Sequence, residues 1–422
     1  MSSANSVPTS KQISRAFLEA VPKTDLHVHL DGSIRLPTLV SLAKEYNVEL
    51  PSYTESGLRE LVFRDRYKNL GDYLRGFGYT VAVLQSEIAL ERAAYELAQD
   101  NQNEGVRYLE VRFAPQLHMH DHMDAIMVLK AVNRGLERAR DEYNRRPQIL
   151  KEGEPPFEYG IICCAMRMFR EGFSNYYGTL LRAHRFAPPK EVYGLASLEM
   201  ARAAVRARDE YGLPIVGFDL VGEEAGYPAG DHIAAYTYAH KKFLKKTVHA
   251  GEAYGPESIF QAVTDLHAER IGHGTYLLDP DSISDASVAD KNKYVESIGE
   301  FIADRRITLE ICLTSNLQTN PQMTDLTMHS FAKLRGHRLS TTICTDNRTV
   351  SNTTVTRELQ LAIESTNMDL REVKSIIIYG FKRSFFPGSY LRKRQYVRDI
   401  IDYYEVIERK FFGENVRGGS EP

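Results

Sequence analysis

Eight short apolar runs, rich in β-branched residues, recur along the chain, and each is separated from the next by a longer segment of different period. The runs are TDLHVH (24–29), VRYLEVRF (106–113), YGIICCAM (159–166), PIVGFDLV (214–221), KKTVHAG (245–251), ERIGHGTY (269–276), ITLEICLT (307–314) and STTICTDN (340–347). Strands with one wet face alternate apolar and polar residues. Several of these runs are apolar at consecutive positions, the pattern of strands covered on both sides in a parallel sheet. The intervening segments ALERAAYELAQDNQNEG (89–105), DAIMVLKAVNRGLERARDEY (124–143) and EVYGLASLEMARAAVRARDEYG (191–212) place their apolar residues at helical spacing. Strand and helix alternating about eight times predicts an α/β chain folded as a (β/α)8 TIM barrel, with an open doubly wound sheet as the alternative.

Three regions break the alternation. Residues 30–88 form a long excursion after the first strand, expected to be helical and to lie over the barrel mouth. Residues 145–158 (RRPQILKEGEPPFE) read as an exposed loop. The chain beyond residue 356 reads as a helical tail whose alternating charges, in 391–413, describe a solvated face. Length alone, 422 residues, suits two or three domains, but barrels run long as single ones. The expectation is one barrel domain over 13–413 between disordered tails at 1–12 and 414–422.

A formal charge of −3 gives no electrostatic case for nucleic acid or for an anionic membrane. No stretch approaches the roughly 18 apolar residues of a spanning helix. The N-terminus lacks the apolar core of a secretory signal. Cys163, Cys164, Cys312 and Cys344 form no CxxC pair and sit in apolar runs, as reduced core thiols do. These features point to the cytoplasm. No feature sets an oligomeric state.

Barrel enzymes keep their chemistry at the C-terminal ends of the strands. There the first run supplies His27 and His29, the fifth His249 and then Glu252, the sixth His273, and the eighth Asp346. Residues i and i+2 of a strand share a side, so His27 and His29 aim together. With His249 and Asp346 they make an N₃O donor set, which suits Zn²⁺ or another divalent transition metal and does not suit Ca²⁺ or Mg²⁺. Each feature alone has a plainer reading. An HxH pair can be two satisfied polar residues, a single histidine can be structural, and an aspartate at a strand end can cap a helix. Their joint occurrence at one rim favours a metal site. His267-Ala268-Glu269 mimics the HxE of another zinc-site type but lacks the cysteine pair that site needs, and reads as a helix end without catalytic role. No HExxH, Walker-type or GxSxG motif is present.

The ordered set LHVHLDGS (26–33), NLGDYLRGF (69–77), YLEVRFAP (108–115), IICCAMR (161–167), GFDLVGEE (217–224), TVHAGE (247–252), RIGHGT (270–275) and TDNRTVS (345–351) closely resembles the adenosine deaminase family of metal-dependent hydrolase barrels. The resemblance covers residues 24 to 360 or so. It implies one Zn²⁺ per chain held by His27, His29, His249 and Asp346, with Glu252 as the catalytic glutamate and His273 as the catalytic histidine. It further implies that Asp31 contacts the ribose 5′-hydroxyl and that the backbone N–H of Gly222 meets purine N3. Many members have two consecutive aspartates where this chain has Asp346-Asn347. Asn347 can donate to purine N7 through its NH₂ without titrating, and the change resembles a bacterial TDNR branch.

The activity so implied is hydrolytic deamination of adenosine or 2′-deoxyadenosine, a step of purine nucleoside salvage. Alternatives are deamination of a 5′-extended adenosine such as aminodeoxyfutalosine, or of adenine. A catalytically silent barrel that only binds, and a two-metal amide or ester hydrolase, are the readings from other classes. The fourth run carries no lysine in its late part to bridge two metals. Within the excursion, Leu58, Leu61, Val62 and Phe63 are candidates for an apolar gate or for plain helix packing.

Overall fold

The computed structural model describes residues 7–413. Eight parallel strands, β1 (Lys23–His29), β2 (Val106–Phe113), β3 (Glu158–Met166), β4 (Ile215–Val221), β5 (Lys245–Ala250), β6 (Arg270–His273), β7 (Thr308–Ile311) and β8 (Thr341–Ile343), pair in sequence order. This is the expected (β/α)8 barrel. Almost every strand residue is buried, because helices cover the outside and side chains fill the inside.

The seam between β8 and β1 is closed just past β8. The Asp346 amide donates to the His27 carbonyl at 2.8 Å, and the His29 amide donates to the Asp346 carbonyl at 2.7 Å. The sixth, seventh and eighth runs form shorter strands than their apolar lengths suggest. Their last residues turn into the rim, with His273 and Asp346 both in the left-handed region at φ 65° and 61°. A non-glycine residue held there costs of order 1–3 kcal/mol, and such residues gather at functional sites.

The helices start and stop where their sequences signal it. Asp124 accepts the Met127 amide at the head of helix Ala125–Asn144, and Gly212 ends helix Pro189–Tyr211 in a left-handed conformation at φ 66°. The excursion after β1 is four helices, Leu36–Glu45, Glu55–Leu61, Leu70–Leu74 and Phe77–Val83. The 145–158 loop includes one short helix, Pro147–Lys151. The C-terminal tail is three helices, the last running Tyr390–Phe412.

Residues 1–6 and 414–422 of the expected tails lie outside the described residues. Residues 7–12 do not trail freely, contrary to the sequence expectation. Pro8 is buried, its carbonyl accepts the Leu370 amide at 3.1 Å, and Ser10–Gln12 form a 3-10 turn. No helix among the described residues is long and apolar enough to cross a membrane.

The interior of the barrel is charged rather than oily. Arg112 pairs with Asp219 at 2.7 Å and with Glu310 at 2.8 Å. Arg270 pairs with Glu310 at 2.6 Å and also with Glu110. All five side chains are buried to within 1% of completely. Charges so deep are tolerated only when paired and hydrogen-bonded.

Candidate metal centre and active site

The four residues read as a metal-binding set come together at the C-terminal rim. One ligand atom from each of His27, His29, His249 and Asp346 lies within 4.8 Å of every other. His29 Nε2 is 3.2 Å from His249 Nε2, and Asp346 Oδ1 is 3.4 Å from both His27 Nε2 and His29 Nε2. A tetrahedral site with metal–nitrogen bonds of about 2.0–2.1 Å has edges of about 3.3–3.4 Å. The observed separations match those edges. His27 Nε2 is buried with no hydrogen-bond partner, as a lone pair reserved for a cation is.

Two of the three imidazoles are held from behind. His27 Nδ1 meets Glu310 Oε2 at 2.8 Å, and His249 Nδ1 meets Asp219 Oδ2 at 3.1 Å. Such contacts fix a metal ligand's tautomer and leave Nε2 as the donor atom. Burial, with the neighbouring imidazoles, pushes His29 and His249 below the usual imidazole range despite Asp346 and Asp219. At His27, burial and Arg112 act downward but are outweighed by Asp346 and Glu310. Below the metal group, Asp219 and Glu310 are also paired with Arg112, and Glu110 and Glu310 with Arg270.

A second group overlaps the first. Donor atoms of Glu252, His273 and Asp346 also lie within 4.8 Å of one another, with His273 Nε2 3.6 Å from Glu252 Oε2. Burial first, then the charges of Asp346 and Glu224, push the Glu252 carboxyl well above the usual range. Burial pushes His273 well below its usual range. Asn316 Nδ2 donates to His273 Nδ1 at 3.1 Å, while Asn316 Oδ1 faces His329 Nε2 at 3.1 Å. This arrangement places the His273 proton on Nε2, toward the reaction space.

The loop carrying Glu252 is gathered by one carboxylate. Glu224 accepts the backbone N–H groups of Gly251 (2.7 Å), Glu252 (3.0 Å), Ala253 (2.7 Å) and Tyr254 (3.0 Å). Arg167 fastens the strand end beneath it by donating to the His249 carbonyl at 2.5 Å.

A cavity of about 790 Å³ opens onto this centre. Asp31, Gly222 and Asn347 all line it, together with His29, His249, Glu252, His273 and Asp346. Asp31 Oδ1 and Asn347 Oδ1 are buried without partners. Burial raises the Asp31 carboxyl to about 6. Asn347 Nδ2 donates to the Tyr73 hydroxyl at 2.8 Å, so a second contact falls to its other N–H. Gly222 has φ 99°, where a side chain is disfavoured, and an added Cβ would sit 3.2 Å from Met166 Cε.

The suggested gate is elsewhere. Leu58, Val62 and Phe63 are buried in the core, Leu61 is exposed, and none of the four lines the cavity. The excursion reaches the cavity through Asn69–Arg75 and the helix that follows. His267 and Glu269 lie far from the site, in the turn before β6. They follow rather than end the helix Pro256–Thr264, and Glu269 pairs there with Lys245 and Lys246. Sequence reading did not single out Asp219, Glu224, Glu310 or Asn316. The available signal was a charged residue inside an otherwise apolar run, as at Asp219 and Glu310.

Comparison with known proteins finds relatives over nearly the whole chain. The family model described as "Adenosine deaminase" matches residues 22–403. Adenosine deaminase 1 of Streptomyces coelicolor is 34% identical, over 99% of this chain and 96% of its own length. The adenosine deaminase of Vibrio atlanticus is 33% identical, over 87% of this chain and 94% of its own. Among solved structures, the adenine deaminase from Arthrobacter aurescens superposes with TM-score 0.69 at 19% identity, covering 92% of this chain and 100% of that one. The N6-methyl-AMP deaminase from Arabidopsis thaliana superposes with TM-score 0.69 at 24% identity, covering 92% and 98%. At these identities the two structures speak for the fold alone.

Proposed function

The chain belongs to the adenosine deaminase family, hydrolases of carbon–nitrogen bonds in cyclic amidines, and from that premise we propose that it deaminates adenosine and 2′-deoxyadenosine with one bound Zn²⁺. The products are inosine or 2′-deoxyinosine and ammonia, which places the reaction in purine nucleoside salvage. The observation that carries this reading is the proton-handling trio Glu252, His273 and Asp346, set against the four-residue metal group.

His27, His29, His249 and Asp346 would hold the ion, and their N₃O chemistry favours zinc over hard, oxygen-seeking cations. Bound there, a divalent ion brings the pKa of water down to about 7, so that a nucleophile is available at neutral pH. The remaining work falls to the chain. His273, with its proton on Nε2, orients the attacking oxygen, and a role as base would require the Asn316 amide to turn over. Attack at purine C6 makes a carbon–oxygen bond and sends an electron pair to N1. Glu252, kept protonated by its surroundings, supplies the proton that N1 takes. The carbon–nitrogen bond to the exocyclic amine then breaks. The amine takes one proton that came from water and leaves as ammonia, and the other water proton restores the Glu252 carboxyl.

Asp31, Gly222 and Asn347 are assigned to the substrate. Asp31 accepts from a free 5′-hydroxyl, the Gly222 N–H meets N3, and Asn347 donates to N7. A carboxylate at the 5′ end disfavours a 5′-phosphate, which supports a nucleoside over a nucleotide. Four unpaired, buried thiols support a reducing compartment, the cytoplasm.

The test is kcat/KM for ammonia release from adenosine, 2′-deoxyadenosine, aminodeoxyfutalosine, adenine and AMP. Adenosine and its deoxy form should lead. A preference of roughly a thousandfold for any other member overturns the assignment.

A further inference from the structure

A second cavity, of about 710 Å³, lies at the opposite end of the barrel, where β5, β6 and β7 begin. Its wall carries Lys245, Arg305, Arg306, Lys382, Arg383 and Lys393. Glu269 is the one carboxylate among the described lining residues, and it is already shared by Lys245 at 3.0 Å and Lys246 at 3.2 Å. No described carboxylate forms an ion pair with Arg305, Arg306, Arg383 or Lys393. Lys393 instead folds onto the carbonyls of Lys382 (2.8 Å) and Ser384 (2.6 Å). Arg383 Nε is buried with no partner.

The cations are placed rather than scattered. Arg305 lies over the Phe301 ring at 3.6 Å. Arg270 rises behind the cavity, lies over the Phe385 ring at 3.7 Å and donates to the Arg383 carbonyl at 3.2 Å. Like charges crowded into one concavity repel, and a chain of net charge −3 has carboxylates enough elsewhere to have neutralised them.

We propose that this cavity is a binding site for a polyphosphate group, carried by a nucleotide or by condensed phosphate. Several guanidinium and ammonium groups converging on one concave space match an anion with charge on successive phosphates, with arginine gripping pairs of oxygens. The space admits more than one phosphate, which separates it from a site for orthophosphate. The titration behaviour agrees. Burial, and then neighbouring Arg306, holds Arg383 below its usual range. Burial, and then Arg270, Lys245 and Arg383 against the opposing pull of Glu110, brings Lys393 down to about 8. Arg305, Arg306, Arg383 and Lys393 thus face one another without a carboxylate ion-paired to them among the described residues.

Isothermal titration of the full-length, metal-loaded chain at physiological salt tests this, with tripolyphosphate, ATP and orthophosphate as probes. Tripolyphosphate should bind saturably, one per chain, and more tightly than orthophosphate. ATP binding more tightly than tripolyphosphate identifies a nucleotide as the source, and equal affinity identifies condensed phosphate. The triple variant Arg305→Gln, Arg306→Gln, Arg383→Gln should weaken binding at least about tenfold and leave adenosine turnover unchanged. Arg306→Glu alone provides the same readout with a single surface change. The proposal is overturned by no saturable binding, by full-strength binding in both variants, by displacement with saturating inosine, or by a response to duplex DNA alone.

Discussion

Asp346 is joined to His27 twice: its backbone amide donates to the His27 carbonyl at 2.8 Å, and its Oδ1 lies 3.4 Å from His27 Nε2. The first contact closes the barrel and the second sets one edge of the metal group. Barrel closure and placement of the Asp346 carboxylate are thus a single event. Asp346 makes both contacts from a left-handed backbone, at φ 61°.

Asp346→Asn separates the two roles. Asparagine accepts a left-handed backbone and keeps the seam, but it removes the anionic oxygen proposed to bind the metal. Metal affinity should fall by at least about 10–100-fold, with the thermal transition of the metal-free protein little changed. Metal titration and calorimetry on the same preparation check both parts. Unaltered metal affinity would remove Asp346 from the ligand set.

In the proposed reaction Glu252 is the acid, so activity should follow its protonated form. Its carboxyl is raised well above the ordinary range by burial and by Asp346 and Glu224, which favours the protonated form. As pH rises through that raised value the donor is lost and kcat/KM falls. Glu252→Gln should retain one metal per chain and lose on the order of 10²–10⁴ in kcat. Near-normal turnover in this variant would take Glu252 out of the mechanism.

Gly135 sits where helix Ala125–Asn144 crosses helix Glu87–Asn103. A Cβ there would lie 2.2 Å from the Glu91 carbonyl oxygen and 2.9 Å from the Tyr95 amide, both backbone atoms. Gly135→Ala should destabilise the fold by about 1–3 kcal/mol, because overpacking outweighs the better helix propensity of alanine. Urea unfolding reads this directly. An unchanged or higher midpoint would show that the two helices separate freely.

The four cysteines are unpaired and fully buried, and burial holds each thiol above its usual range. None should react with a thiol reagent in the native protein at neutral pH, and all four should react after unfolding. Rapid labelling of the native chain would contradict their placement.

The barrel and the gathering of His27, His29, His249 and Asp346 at one rim were legible because the two signals are local. Continuous apolar runs mark strands covered on both faces, and HxH, HAGE and GHG fall at their ends. What supports the ligands was not legible in the same way. Glu310 stands behind His27 though they are 283 residues apart, and Glu224 pins a loop 27 residues away through backbone N–H groups that leave no mark in composition. The gate reading failed at Leu58 because an apolar residue in a short helix looks the same whether it faces a cavity or the core. The basic cavity draws its side chains from residue 245 to residue 393, so no window of the sequence reveals it.

The central claim is that His27, His29, His249 and Asp346 hold one divalent ion on which deamination depends. The direct measurement is metal content by mass spectrometry alongside adenosine turnover, before chelation, after it, and after zinc is returned. One zinc per chain is expected, with activity lost on removal and restored on addition in proportion to the metal bound. A metal-free chain that converts adenosine at an undiminished rate would contradict the account.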